Sequence, residues 1–258
     1  MNIDKANNEL VSIPSYDPNK LIENTEEYRK FMRYDFQYPY WDTMPKIEVN
    51  GKQQFINASW VNGIKKEKVY IATQSPLRNT IDHFWRMVSD NDVNLIVMLT
   101  DYVEKGVRKA EYYWNNFIDM PYNSGTIITN MITRETKGDF IYSTIEVSDV
   151  KTDVTRTIVH ITFTGWPDNS VPPNSKDVQH ILDIMDDYHE KSGPIVVHCS
   201  AGNGRTGTII LLHQYLICLK NKINLSVPAL LANIRFQRSD MVANKYQYKY
   251  VYDFIESA

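Results

Sequence analysis

Residues 197–207, "VHCSAGNGRTG", gather a histidine, a cysteine, an arginine and three of the chain's ten glycines. A thiolate is a ready nucleophile. A guanidinium is a planar fork that can hold two oxygens of a tetrahedral anion, and glycine admits unusual φ/ψ and a close approach of backbone N–H groups to a ligand. Chemistry that uses all three in this order is attack by Cys199 on a phosphoryl group cradled by Ser200, Ala201, Gly202, Asn203 and Gly204 and clamped by Arg205. The N–H groups that receive a phosphate also favour the thiolate form of a cysteine beneath them. The second cysteine, Cys218, lies within an apolar run and reads as a small buried hydrophobe.

Cleavage of an aryl phosphate also needs a proton for the departing oxygen. A phenol, with a pKa of about 10, leaves far more easily if it is protonated as the P–O bond breaks. Asp168, in the proline-bounded stretch "GWPDNSVPP" at 165–173, is the candidate acid. Taken alone it is an ordinary turn residue.

These residues work only if the surrounding elements aim them. "IVV" at 195–197 is β-branched and unalternating, which predicts a strand buried on both faces. "TIILLHQYLICL" at 208–219 is apolar nearly all round, as in a buried helix. The glycine-rich loop therefore lies between a strand and a helix N-terminus, where free N–H groups and the helix dipole converge on an anion. Elsewhere, apolar β-branched runs predict strands at 93–99, 126–133, 140–147 and 157–163, with "TKGDF" as a hairpin between two of them. A helix is expected over 19–34. Another is expected over 175–191, where Val178, Ile181, Leu182, Met185 and Tyr188 recur at helical spacing. Two more close the chain, "SVPALLANIRF" and "NKYQYKYVYDFI", the second with Tyr246, Tyr250, Val251 and Phe254 on one side.

With 258 residues, 43% apolar and 23% charged, the composition is that of an ordinary globular protein able to bury a sizeable core. No internal repeat or long linker divides it, so one domain over 1–258 is expected. A net charge of −3 gives no reason to expect a nucleic-acid partner. Two cysteines and the opening "MNIDKANNEL" do not suggest a secreted disulfide scaffold, and a reducing, cytoplasmic setting is expected. The most apolar run is shorter than the roughly 20 residues of a membrane span, and neither end carries a lipid-anchor motif. No metal or cofactor is expected, and the sequence does not reveal the oligomeric state.

With loop, acid and their order in hand, the chain resembles the catalytic domain of the cysteine-dependent protein tyrosine phosphatases, in their phosphotyrosine-specific branch. The likeness extends over about 24–254 through "FINASWVNG", "YIATQSPLRNTIDHFWRMV", "VEKGVRKAEYYW", "WPD", "VHCSAGNGRTG" and "RFQRSDMVANKYQY", in that order. It implies an α/β fold with a twisted mixed β-sheet flanked by helices on both sides. It also implies hydrolysis of phosphotyrosine in proteins through a cysteinyl-phosphate. Cys199 would attack phosphorus, Arg205 would bind the phosphoryl group, and Asp168 would serve first as acid and then as base. Thr206 would stabilise the leaving thiolate, His198 would tune the cysteine, Glu104 would orient Arg205, and Lys109 would meet Asp168 on loop closure. Tyr34 would be the aromatic wall of a pocket deep enough for phosphotyrosine.

Four positions depart from the family pattern. Asn203 stands where the family has an apolar residue against the substrate ring, and Phe36 where it has an aspartate that binds the peptide backbone. Ser170 replaces a glycine of the acid loop. Ala243 replaces a glutamine that positions the attacking water, while the second glutamine is kept as Gln247. Ala243 makes a slow second step the expectation, and Asn203, Phe36 and Ala243 together favour the alternative, a phosphotyrosine-trapping pseudophosphatase. A phosphoinositide phosphatase is disfavoured because the loop carries no lysine, and an RNA 5′-phosphatase by Tyr34. The unusual pocket suits a divergent, bracovirus-like member.

Overall fold

Strand β12 (Ile195–His198) shows how the sequence forces the architecture. All four of its residues are buried. Ile195 and Val197 join one hydrophobic cluster, and Val196 joins another on the opposite face. Such a strand is stable only inside a sheet covered on both sides. A computed structural model, which describes residues 1–22, 26–168, 170–191 and 193–257, places it there.

The eight-stranded sheet runs in the order β3 (Ala58–Val61), β4 (Tyr70–Thr73), β12, β5 (Leu95–Met98), β11 (Val154–Phe163), β10 (Phe140–Asp149), β9 (Ile127–Lys137) and β8 (Tyr122–Asn123). β4, β12, β5 and β11 are parallel neighbours; β3 at one edge and β10, β9 and β8 toward the other are antiparallel. The sheet is therefore mixed, as expected. One face carries α1 (Ile3–Ser12), α4 (Ser175–Lys191), α5 (Gly204–Lys220), α6 (Val227–Arg235) and α7 (Lys245–Ser257). The other carries α3 (Ile81–Asp90), whose Ile81, Phe84, Trp85, Met87 and Val88 pack with Val196, Ile96 and Met98. Two small hairpins, β1 (Ile47–Val49) with β2 (Lys52–Gln54) and β6 (Val103–Glu104) with β7 (Val107–Arg108), complete the strands among the described residues. Across the α3 face, Arg86 and Asp149 form a buried ion pair at 2.6 Å. Hydrogen bonds from Arg86 hold the Asp149 carboxyl down to a pKa of about 2.

Three expectations need correction. The helix over 19–34 is a single turn, α2 (Glu26–Arg29), with residues 23–25 outside the described set. No residue of α2 is buried, and the apolar residues of the stretch, Leu21, Ile22, Tyr28, Phe31 and Met32, gather instead around Phe55 and Tyr38 in a small separate cluster. Leu21 instead bridges to Tyr40, and the Ile22 N–H donates to Pro39 O, which hold the chain extended before the turn. In α7, Tyr246 is exposed, and the buried face is Gln247, Tyr248, Tyr250, Val251 and Phe254. In the glycine-rich loop only Gly202 has a positive φ, +78°; Gly204 and Gly207 are already helical. Gly207 is needed for close packing, because a Cβ there would lie 2.5 Å from Val242 N. The sequence reading also passed over α1, α3, β3 and β4.

Candidate active site

β12 ends at His198, and the chain turns through residues 199–203 into α5, so Cys199 lies at the base of a helix N-terminus. Its Sγ accepts the Gly202 N–H at 3.3 Å and the residue is 5% exposed. The positive φ of Gly202 turns the loop around the sulfur, and its missing Cβ would otherwise meet Thr73 O at 2.2 Å. The loop is held from outside by Arg238, which is fully buried and donates to Gly202 O (2.7 Å), Ala201 O (3.2 Å) and Asn57 Oδ1 (3.0 Å). Burial lowers the Arg238 pKa only to about 10, so it stays charged at neutral pH. The loop carbonyls are thereby turned outward onto a cation, which leaves the cradle to N–H groups.

Arg205 is fixed by its partners. One guanidinium nitrogen donates to Leu99 O (2.8 Å) and Glu104 Oε1 (2.6 Å), and the other to Glu104 Oε2 (2.7 Å) and Asp168 Oδ1 (3.2 Å). Glu104 also accepts the Thr100 hydroxyl at 2.7 Å. Burial pushes the Glu104 carboxyl up, but the Arg205 fork and Thr100 outweigh it and hold the carboxyl below its ordinary value. For Arg205, burial is likewise overcome by Glu104 and the neighbouring acids, so its charge is secure. Asp168 is bridged from its other oxygen to Lys109 Nζ at 2.5 Å. These contacts of Asp168 hold the acid loop over the site, and within the loop the Trp166 indole N–H donates to Ser170 O at 2.8 Å. The serine at position 170 is thus compatible with a closed loop.

Behind the loop lies a buried hydrogen-bonded chain that the sequence reading did not single out. His198 Nδ1 is 3.0 Å from Cys199 O, its Nε2 is 2.8 Å from the Tyr113 hydroxyl, and that hydroxyl is 2.6 Å from His160 Nε2. A carbonyl only accepts, so His198 carries its proton on Nδ1, its Nε2 accepts from Tyr113, and His160 Nε2–H donates to the phenol oxygen. Burial pushes the His198 pKa down to about 4 and that of His160 well below its ordinary value, so both rings are neutral. His198 is therefore bonded to the backbone carbonyl of Cys199 as a neutral group.

The cleft above Cys199 has a volume of about 230 Å³ and is lined by Tyr34, Phe36, Lys109, Asp168, Ser200, Ala201, Asn203, Gly204, Arg205, Ala243 and Gln247. Every substrate-binding position expected from the sequence except Gly202 is among them. Tyr34 donates to Ser200 Oγ (3.0 Å), whose own hydrogen goes to Lys109 O (2.8 Å). Phe36 is 68% exposed and tilted against Tyr34, with ring centroids 5.4 Å apart. Gln247 is buried, and its Oε1 accepts the Ala243 N–H at 3.1 Å. The Thr206 hydroxyl is buried without a hydrogen-bond partner among the described residues. Asn203 is 8% exposed and donates to Gln37 Oε1 at 2.7 Å, a partner with no local signal in the sequence. Arg238 lies within the "RFQRSDMVANKYQY" stretch, flanked by the polar Gln237 and Ser239, and carries no local sign of its role.

Comparison with known proteins agrees with this geometry. The family model described as Protein-tyrosine phosphatase matches residues 28–257. Human tyrosine-protein phosphatase non-receptor type 13 is 33% identical over 244 residues, 91% of this chain and 10% of that protein. Human non-receptor type 20 is 31% identical over 90% of this chain and 55% of that protein. Human receptor-type tyrosine-protein phosphatase eta is 33% identical over 90% of this chain and 18% of that protein. The chain thus spans little more than half, or much less, of these relatives. A solved structure on the structural basis of the PTPN18 fingerprint on distinct HER2 tyrosine phosphorylation sites superposes with a TM-score of 0.84 at 26% identity, over 90% of this chain and 84% of that one. With the family model spanning nearly the whole chain and the sheet, loop and acid arranged around one cleft, the chain belongs to the protein-tyrosine phosphatase family.

Proposed function

We propose that this chain hydrolyses phosphotyrosine in proteins through a cysteinyl-phosphate, with a slowed second step. The observation that carries the reading is that one narrow cleft brings together Cys199, an Arg205 fork held on Glu104, and Asp168 within 3.2 Å of that arginine. The phosphoryl group sits between the loop N–H groups and Arg205. The Cys199 thiolate attacks phosphorus as the P–O bond to the phenol breaks, and Asp168 supplies the proton that leaves with the tyrosine. Water then attacks the phosphocysteine, Asp168 takes a proton from it, and the thiolate departs toward the Thr206 hydroxyl. The Tyr34 and Phe36 rings wall the cleft and suit a planar aryl ester. Phosphotyrosine proteins are the partners this reading implies, in a cytoplasmic setting; among the described residues no helix is long and apolar enough to cross a membrane.

A trapping module is the second reading, and one observation favours it. Ala243 leaves no side chain to orient water, and Gln247 Oε1 is engaged on the Ala243 N–H. Acid quench of the protein with a phosphotyrosine peptide, followed by intact-mass analysis, separates the two. The hydrolase reading expects a phosphoryl adduct on Cys199 that accumulates and decays. A peptide that stays phosphorylated, bound equally well by wild type and Cys199→Ser, without any adduct, supports trapping.

A further inference from the structure

Asn203 is held in one orientation by a chain of hydrogen bonds that starts at Ser239, outside the residues lining the cleft. Ser239 O is a carbonyl and can only accept, and the Ser239 hydroxyl spends its hydrogen on Tyr38 O at 3.3 Å. The Gln37 amide nitrogen therefore faces Ser239, donating to its carbonyl (3.1 Å) and its hydroxyl oxygen (3.0 Å). That turns Gln37 Oε1 toward Asn203, so the Asn203 nitrogen donates there at 2.7 Å. The remaining atom, Asn203 Oδ1, is left to accept the Gly204 N–H at 2.8 Å. Gln37 is 1% exposed and its own carbonyl accepts from Asn57 at 2.7 Å, so the chain has little freedom to flip.

This is an unusual way to begin a helix. An asparagine at the N-cap ordinarily accepts from the second or third N–H of the helix. Here the bond goes to the first, Gly204, at the point where the loop meets α5 and where the cleft holds both residues. An N–H bonded to Oδ1 is directed at that oxygen, and an incoming phosphoryl oxygen must displace it or share the donor.

Resting on the phosphatase reading above, we infer that Asn203 is an internal competitor for the anion cradle, an affinity-determining residue whose carboxamide oxygen occupies the Gly204 donor in the empty site. It lowers affinity for the phosphoryl group and for free phosphate, and so favours release of the product. Gln37 is the positioning residue that keeps Oδ1 on the donor.

The test is direct binding of tungstate, an inert tetrahedral oxyanion, by isothermal titration calorimetry, with thermal melts as a folding control. Asn203→Val removes the competing oxygen and is expected to bind tungstate roughly three- to tenfold more tightly, the scale of one net hydrogen bond. Because Asn203→Val leaves Gln37 Oε1 buried without its donor, the double variant Asn203→Val/Gln37→Leu is measured beside it and is expected to keep the gain with a higher melting temperature than the single variant. Asn203→Asp, which keeps an oxygen near the donor and adds a negative charge, is expected to bind tungstate more weakly than wild type. Unchanged or weaker binding in both valine variants, with tungstate bound by wild type, overturns this inference alone. Absence of tungstate binding by wild type and by both valine variants, all folded, overturns the phosphatase reading on which it rests.

Discussion

The floor of the cleft and its rim are built by different rules. On the floor, Cys199, Arg205, Glu104 and His198 are each tied to two or more fixed partners, and none is more than slightly exposed. At the rim, Phe36 is 68% exposed and touches the Tyr34 ring, and Ala243 presents a methyl group. The floor must keep its charges and donors in place before the substrate arrives, because a preorganised site has no reorganisation to undergo as charge develops. The rim only has to touch what surrounds the phosphoryl group, and its residues can change without unpairing a buried partner. Asn203 lies on the boundary: a rim position by sequence, but wired into the buried amides of Gln37 and Ser239.

Removing the acid bonded to the floor's Arg205 gives the largest effect. Asp168→Asn keeps the shape of the acid but cannot protonate the phenol, and kcat on phosphotyrosine peptides is expected to fall by about 10²–10⁴-fold. The loss should be smaller for substrates with better leaving groups. A loss of less than tenfold on peptides breaks the assignment of this residue as the acid.

The floor also makes the fold acid-labile. His160, His198 and His213 are buried and neutral, with His198 lowered to about 4 and His213 to about 3, both mainly by burial. The unfolded chain begins to bind protons below a pH of about 6.5, whereas these folded rings stay neutral. Stability is therefore fully present above about 6.5 and is lost as the pH falls toward 4, by up to about 1.4 kcal/mol per histidine per pH unit. Urea midpoints across that range check it; a flat profile contradicts the neutral chain behind Cys199.

Rim changes should be milder and separable. Ala243→Gln restores a side chain that can orient water, and the steady-state rate is expected to rise on the order of tenfold with the first step unaltered. Phe36→Asp should shift KM for peptides several-fold while leaving p-nitrophenyl phosphate, which has no peptide backbone, nearly unaffected. Equal effects on both substrates would dissolve the distinction between floor and rim.

This division also explains what could be read from the chain. Three of the four floor residues, His198, Cys199 and Arg205, fall in one contiguous stretch, so spacing alone suggests their chemistry, with Asp168 as the acid. Glu104 and Lys109 are expected only through family likeness, since a lone Glu ending a two-residue strand or a lone Lys following one has no local signature. Gln37, Arg238, Tyr113 and His160 acquire their roles from partners far away in sequence, and nothing in their neighbourhoods announces them. Among the elements, long periodic ones such as α4 and β10 were legible. The four-residue strands β3 and β4 are too short for periodicity to register, and α1 buries only Ala6 and Leu10 in a mostly polar run. The helix expected over 19–34 reduces to one turn because its apolar residues are drawn into a small cluster around Phe55, Leu21 and Ile22 joining it from extended backbone paired with Tyr40 and Pro39.

The most direct test of the central claim is stopped-flow release of p-nitrophenol from p-nitrophenyl phosphate near neutral pH, with Cys199→Ser as control. The account predicts a burst stoichiometric with Cys199, followed by a slow steady rate that Ala243→Gln accelerates. Release without a burst, or no release above the Cys199→Ser background, would contradict it.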